Sequence, residues 1–133
     1  MKNNVFAILG GTVALFGLGY LIYVALGYHA LNGARVEAIA ATELNLPTII
    51  LMEVLYATLI TMIFSKWAQI KTFSTGAKAG FIIGLFLGAL PTLEIFSMTT
   101  GLTDITGVIT GAVTFGIRFA VAGGVIGWLL GKD

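Results

Sequence analysis

Three ionisable side chains, Glu53, Glu94 and Arg118, stand inside stretches that are otherwise apolar. At the centre of a bilayer such a charge costs about 2.5–3.5 kcal/mol on insertion scales, so it is kept where it pairs or does work. Two carboxylates and one guanidinium allow two outcomes. They can hold helices in register as a buried ion pair, or leave one acid free to carry a proton or bind a solute. Helical spacing supplies their neighbours. Arg118 shares a face with Gly107, Gly111, Thr114 and Ala122, a small, polar stripe that points inward. Glu53 shares its face with Tyr56, Ala57 and, two turns on, Thr61. Glu94 follows Pro91, which removes a backbone donor and frees a carbonyl one turn back, and such kinks in membrane helices border cavities. The expectation is a cluster in which Arg118 pairs with Glu53, Glu94 or both. Binding or translocation residues are then Glu53, Glu94, Arg118, Tyr56 and Thr114.

Other chemistry is sparse. The single histidine, His29, stands beside Tyr28 near the end of an apolar run, and with no second histidine neither a metal site nor a haem is expected. Cysteine is absent, which excludes disulfides, thiolate metal sites and cysteine nucleophiles. No serine nucleophile motif, histidine–carboxylate spacing or phosphate-cradling loop is present. The expectation is a protein without a cofactor that is not an enzyme. A net charge of +1 offers no basic field for nucleic acid.

The elements that position these residues follow from composition. Of 133 residues, 58% are hydrophobic and 10% charged, against roughly a quarter charged in soluble domains. Too few polar side chains remain to cover a water-facing surface. A membrane span needs about 20 apolar residues, and four stretches qualify, near 5–27, 46–64, 79–98 and 105–130. The first follows Lys2 but is longer than a signal-peptide core and has no small-x-small cleavage site. The sequence therefore predicts an all-α protein, a four-transmembrane-helix bundle forming one integral membrane domain over 1–133.

Lys66, Lys71 and Lys78 all lie between the second and third stretches, and Lys2 and Lys132 flank the ends. By the positive-inside rule both termini and the middle loop are cytoplasmic, as an even number of spans requires. Trp67 and Trp128 read as interface anchors at that boundary. On the other side, Ala34 to Ala41 reads as a short interfacial helix. Asn45 and Pro47 suit the start of the second span. The connection at 99–104 is short enough to make the last two helices antiparallel neighbours.

Glycine is patterned. Gly76, Gly80, Gly84 and Gly88 recur every four residues, and Gly107 and Gly111, then Gly123, Gly127 and Gly131, mark the fourth span. Each set makes a groove without side chains in which helix backbones approach closely. These stripes pack the third and fourth spans within one chain, or one of them forms a seam between copies. Gly11 and Gly19 match Gly80 and Gly88 at a constant offset, although the rest of the hairpins do not align.

With four spans, the run Gly80-Phe81-Ile82-Ile83-Gly84-Leu85-Phe86-Leu87-Gly88 and the C-terminal Gly123-Gly124-Val125-Ile126-Gly127, the chain resembles small four-span bacterial membrane proteins of the domain-of-unknown-function type. The resemblance implies a bacterial inner (plasma) membrane location and imports no activity. Small multidrug transporters and fluoride channels are of similar length, but the first-helix glutamate of the former and the asparagine-rich pore of the latter are missing. The expected function is a homo-oligomeric channel or carrier for a small solute or ion. The alternative is a non-catalytic accessory subunit packed against a larger membrane complex. Membrane lipid is a partner in either case.

Overall fold

The computed structural model describes residues 2–28, 30–36 and 45–132, and among these it is helix and connection with no strand. Helix α1 spans Lys2–Gly19 and continues as a wider π-helical segment, Tyr20–Ala25. Helix α2 spans Leu46–Met62 and widens in the same way over Ile63–Ala68. Helices α3, Phe73–Met98, and α4, Ile105–Leu130, follow. Among the described residues these four are long and apolar enough to cross a membrane.

Local chemistry sets the starts. The side chain of Asn45 accepts from the Thr48 N–H at 3.2 Å, with Pro47 in the first turn of α2. Thr72 accepts from the Thr75 N–H, and Asp104 accepts from the Gly107 N–H at 2.9 Å. Each cap satisfies one of the amide donors that a helix leaves unpaired at its N-terminus. Because Thr72 supplies the cap, α3 begins at Phe73 rather than near Ala79, and its polar first turns precede the apolar run.

Helix α4 is the centre: 56% of its most apolar stretch is buried, against 22–28% in the other three. It packs on α3 along one flank and on α1 along another, while α2 lies mainly against α1 and reaches α4 at fewer points. The apolar core sits between α1, α2 and α4, around Leu15, Ala57, Ile60, Phe119 and Ile126. Helix α3 buries only Gly76, Gly80, Gly84, Gly88 and Thr92.

Those four glycines meet the α4 backbone. A Cβ at Gly76, Gly80, Gly84 or Gly88 would overlap the carbonyl oxygen of Gly123, Phe119, Phe115 or Gly111 respectively. From the other side, Gly123 faces the Gly76 carbonyl and Gly127 the Thr72 carbonyl. The α3 stripe is therefore filled within one chain and leaves no groove there for a second copy. Gly107 behaves differently, packing against Thr103 and the Ala30 carbonyl. Gly11 and Gly19 also part from their α3 counterparts. Gly11 faces Ile126 and Ala57 side chains, and Gly19 faces Arg118 and Glu53.

The two connections at the end away from the termini are tied together. The Gly33 and Arg35 N–H groups donate to the carbonyls of Leu102 and Gly101, each at 2.9 Å, and the Thr103 hydroxyl donates to the Ala30 carbonyl at 2.7 Å. Gly101 takes φ +86° beneath the Arg35 side chain, a backbone state that favours glycine. Of the expected helix at 34–41, Ala34 and Arg35 lie in a turn; residues 37–41 lie outside the described residues, as do His29 and Glu43. At the opposite end the Asn3 side-chain amide donates to the Lys132 carbonyl, and the Lys132 ammonium sits 4.3 Å from the Trp128 ring centroid. Both chain ends thus share one end of the bundle.

Candidate functional site

Arg118 extends from the middle of α4 toward the gap between α1 and α2. Its Nη2 donates to Glu53 Oε2 at 2.5 Å, and the two side chains are 1% and 2% exposed. Nη2 also donates to the Leu15 carbonyl of α1 at 3.3 Å, and Nη1 donates to the Tyr23 hydroxyl at 3.3 Å. Tyr23 in turn donates to Thr114 Oγ1 at 3.3 Å, and Thr114 donates to the Thr110 carbonyl. The guanidinium carbon lies 5.2 Å from both the Tyr23 and the Phe115 ring centroids, within cation–π range. One arginine therefore ties together α1, α2 and α4.

Local sequence explains the fit. Gly19 stands where α1 leaves regular helical geometry, and a Cβ there would lie 3.4 Å from Arg118 Nη2 and 3.5 Å from Glu53 Oε2. The wider turns that follow carry Tyr20 and Tyr23; π-helical segments of this kind are frequent at functional sites.

The pair is not saturated. Among the described residues, Glu53 Oε1 and Arg118 Nε are buried with no hydrogen-bond partner. Further along α2, the Thr61 and Ser65 hydroxyls are also buried and unpartnered. Elsewhere in the bundle Thr12, Thr58, Thr92 and Thr114 each bond back to the carbonyl four residues earlier. Orphaned polar atoms of this kind are rare in native interiors.

Beside the pair lies a cavity of about 420 Å³ between α1 and α2, lined by Phe16, Tyr20, Tyr23, Ile49 and Met52, with Glu53 and Arg118 at its inner wall. Its size is that of a small-molecule site, and its lining, apolar with a few convergent polar groups, is of the matching kind.

Of the residues named from sequence, the structure brings Arg118 and Glu53 into direct contact and Thr114 to them through Tyr23. Tyr56 stands next to the pair but faces another seam, packed edge-on against Phe115 and Phe119 with ring centroids 6.1 and 5.1 Å away. Glu94 is exposed and takes no part in the Arg118 cluster. The reason is angular. Thr92 continues the glycine stripe that faces α4, and Glu94, two residues on, lies about 200° around the helix from it. Helix α3 runs through Pro91 without a break, and the cavity lies across the bundle, between α1 and α2. Tyr23 and the Leu15 carbonyl were missed from sequence: neither bears a charge, and nothing in the spacing of α1 marks them. Among the described residues no cluster of histidine, aspartate and glutamate is placed to hold a metal ion.

The fold and site define an all-α bundle of four hydrophobic helices built around one buried Glu–Arg pair at a cavity wall. No protein-family model matches the sequence, and neither curated proteins nor solved structures give a match.

Proposed function

We propose that this chain is an integral membrane protein acting as a channel or carrier for a small solute or ion, assembled from several copies, with Glu53 and Arg118 at the substrate site. The observation that carries this reading is a fully buried ion pair in a cavity wall, with one carboxylate oxygen lacking a donor. A pair serving only to fix helix register gains most when every polar atom is satisfied. Lysine placement supports cytoplasmic termini and a cytoplasmic 69–72 connection, and composition together with the resemblance in span layout supports a bacterial inner membrane. Since α3 and α4 consume their glycine grooves on each other, contacts between copies fall on other faces.

A second reading, an accessory subunit in a larger membrane complex, draws on Glu94. This carboxylate is exposed on the side of α3 away from α4 and makes no ion pair among the described residues. On a face turned to lipid, it calls for a partner from another chain.

Two measurements test the proposal. Native mass spectrometry of gently extracted protein reads a homo-oligomer or a foreign partner. Proteoliposomes assayed for a panel of K⁺, Cl⁻, protons and uncharged solutes read transport. Flux present in the native protein and lost in a folded Glu53→Leu/Arg118→Met double variant supports the site; flux unchanged in that variant removes it.

A further inference from the structure

The cavity restricts what the site can receive. Its rim is formed by residues on the lateral surfaces of α1 and α2: Tyr20 is 61% exposed, Val24 49% and Leu46 50%. These lie within or at the end of helices read as membrane-spanning, so the mouth opens sideways, toward lipid, in the half of the bundle away from the termini. The path inward passes Phe16, Ile49 and Met52, which are apolar. A hydrated ion gains nothing along such a route, because its water is removed with no polar group in exchange.

The inner wall narrows the choice further. Glu53 and Arg118 balance each other at 2.5 Å in a fully buried setting. A ligand carrying a full charge of either sign would leave that setting with an uncompensated charge, a costly arrangement at low dielectric. The hydrogen-bond inventory gives the polarity of the head group. Three of the four Nη–H donors of Arg118 go to Glu53, Tyr23 and the Leu15 carbonyl, whereas among the described residues Glu53 Oε1 has no donor and Arg118 Nε has no acceptor. A hydroxyl or primary amide, which donates and accepts at once, suits a wall that presents a carboxylate beside a guanidinium.

We infer that the cavity takes an uncharged amphipathic molecule from the surrounding lipid, its apolar body lying between α1 and α2 and its hydroxyl or amide head at the wall formed by Glu53 and Arg118. The inference rests on the reading of Glu53 and Arg118 as a substrate site and names the class of that substrate.

The test is photolabelling of the full chain in lipid nanodiscs with a long-chain alcohol bearing a mid-chain diazirine, with labelled residues mapped by mass spectrometry. Label is expected to saturate at the cavity, on Tyr20 and Met52, over a non-saturating background at lipid-facing Phe86. 1-Dodecanol at equal membrane concentration should compete, with dodecyltrimethylammonium and dodecyl sulfate at least tenfold weaker. Met52→Trp, which narrows the cavity and keeps both members of the ion pair, should cut cavity labelling at least tenfold while Phe86 labelling persists. Equal or better competition by either charged amphipath overturns the inference, as does labelling no different at the cavity from that at Phe86. Saturable labelling in a protein that carries no flux supports this ligand class and removes the transport reading. Flux without saturable labelling overturns the ligand class alone.

Discussion

Gly80 of α3 faces the Phe119 carbonyl of α4 so closely that a single added methyl group would overlap the oxygen. Along this line the two helices meet backbone to backbone, and much of the rest of α3 is exposed. Association therefore depends on close van der Waals contact rather than on removing apolar surface from water.

Gly80→Ala is accordingly expected to destabilise the bundle by about 1–3 kcal/mol or more, because the clash is with backbone that cannot rotate away. Gly17 is the control. A Cβ there meets nothing within 4 Å, so Gly17→Ala should be neutral or stabilising by up to about 1 kcal/mol through helix propensity. Thermal unfolding of both variants in the same detergent checks the pair, and equal losses would refute the seam.

Breaking the ion pair from one side should be far worse than removing it entirely. Glu53→Leu or Arg118→Met alone leaves a buried, unpaired charge and is expected to cost about 3–5 kcal/mol, whereas the double change to apolar residues should recover most of that loss. A double-mutant cycle on unfolding measures the difference. Simple addition of the two single effects would mean that the groups do not act as a pair.

Glu94 should behave as a surface residue of the isolated chain. Glu94→Gln is expected to change stability by no more than about 0.5 kcal/mol and to leave cavity photolabelling untouched. Loss of a native oligomer in this variant, read by native mass spectrometry, would place Glu94 at a contact between chains.

Orientation is open to direct chemistry because the native chain has no cysteine. A cysteine at Ser74, in the first turn of α3, should resist a membrane-impermeant thiol reagent added outside intact cells, and one at the exposed Met98 should react. The reverse pattern would invert the topology.

Much of the architecture was legible because it rests on local rules. Long apolar runs, the start of α2 at Asn45 and Pro47 and the four-residue glycine period each depend on neighbours in the chain. The α4 face carrying Arg118, Thr114 and Ala122 was readable for the same reason, and all three are buried. Partner choice was not legible. Sequence allows Arg118 to pair with Glu53, Glu94 or both, because helical spacing gives a residue's face but not which helix that face meets.

Composition and periodicity alone established the class: four hydrophobic helices, too few charges for a water-facing surface, and three ionisable residues set within apolar runs. The physical reason is that burial in lipid and helical repeat act residue by residue. Only the tertiary structure decided that α4 stands at the centre, that the glycine stripe closes within one chain, and that Tyr23 and the Leu15 carbonyl complete the Arg118 site. Those outcomes depend on how helices distant in sequence rotate against one another. Glu53 met the arginine because α2 turns it inward. Glu94 did not, because the glycine stripe of α3 claims the only face that α4 can reach.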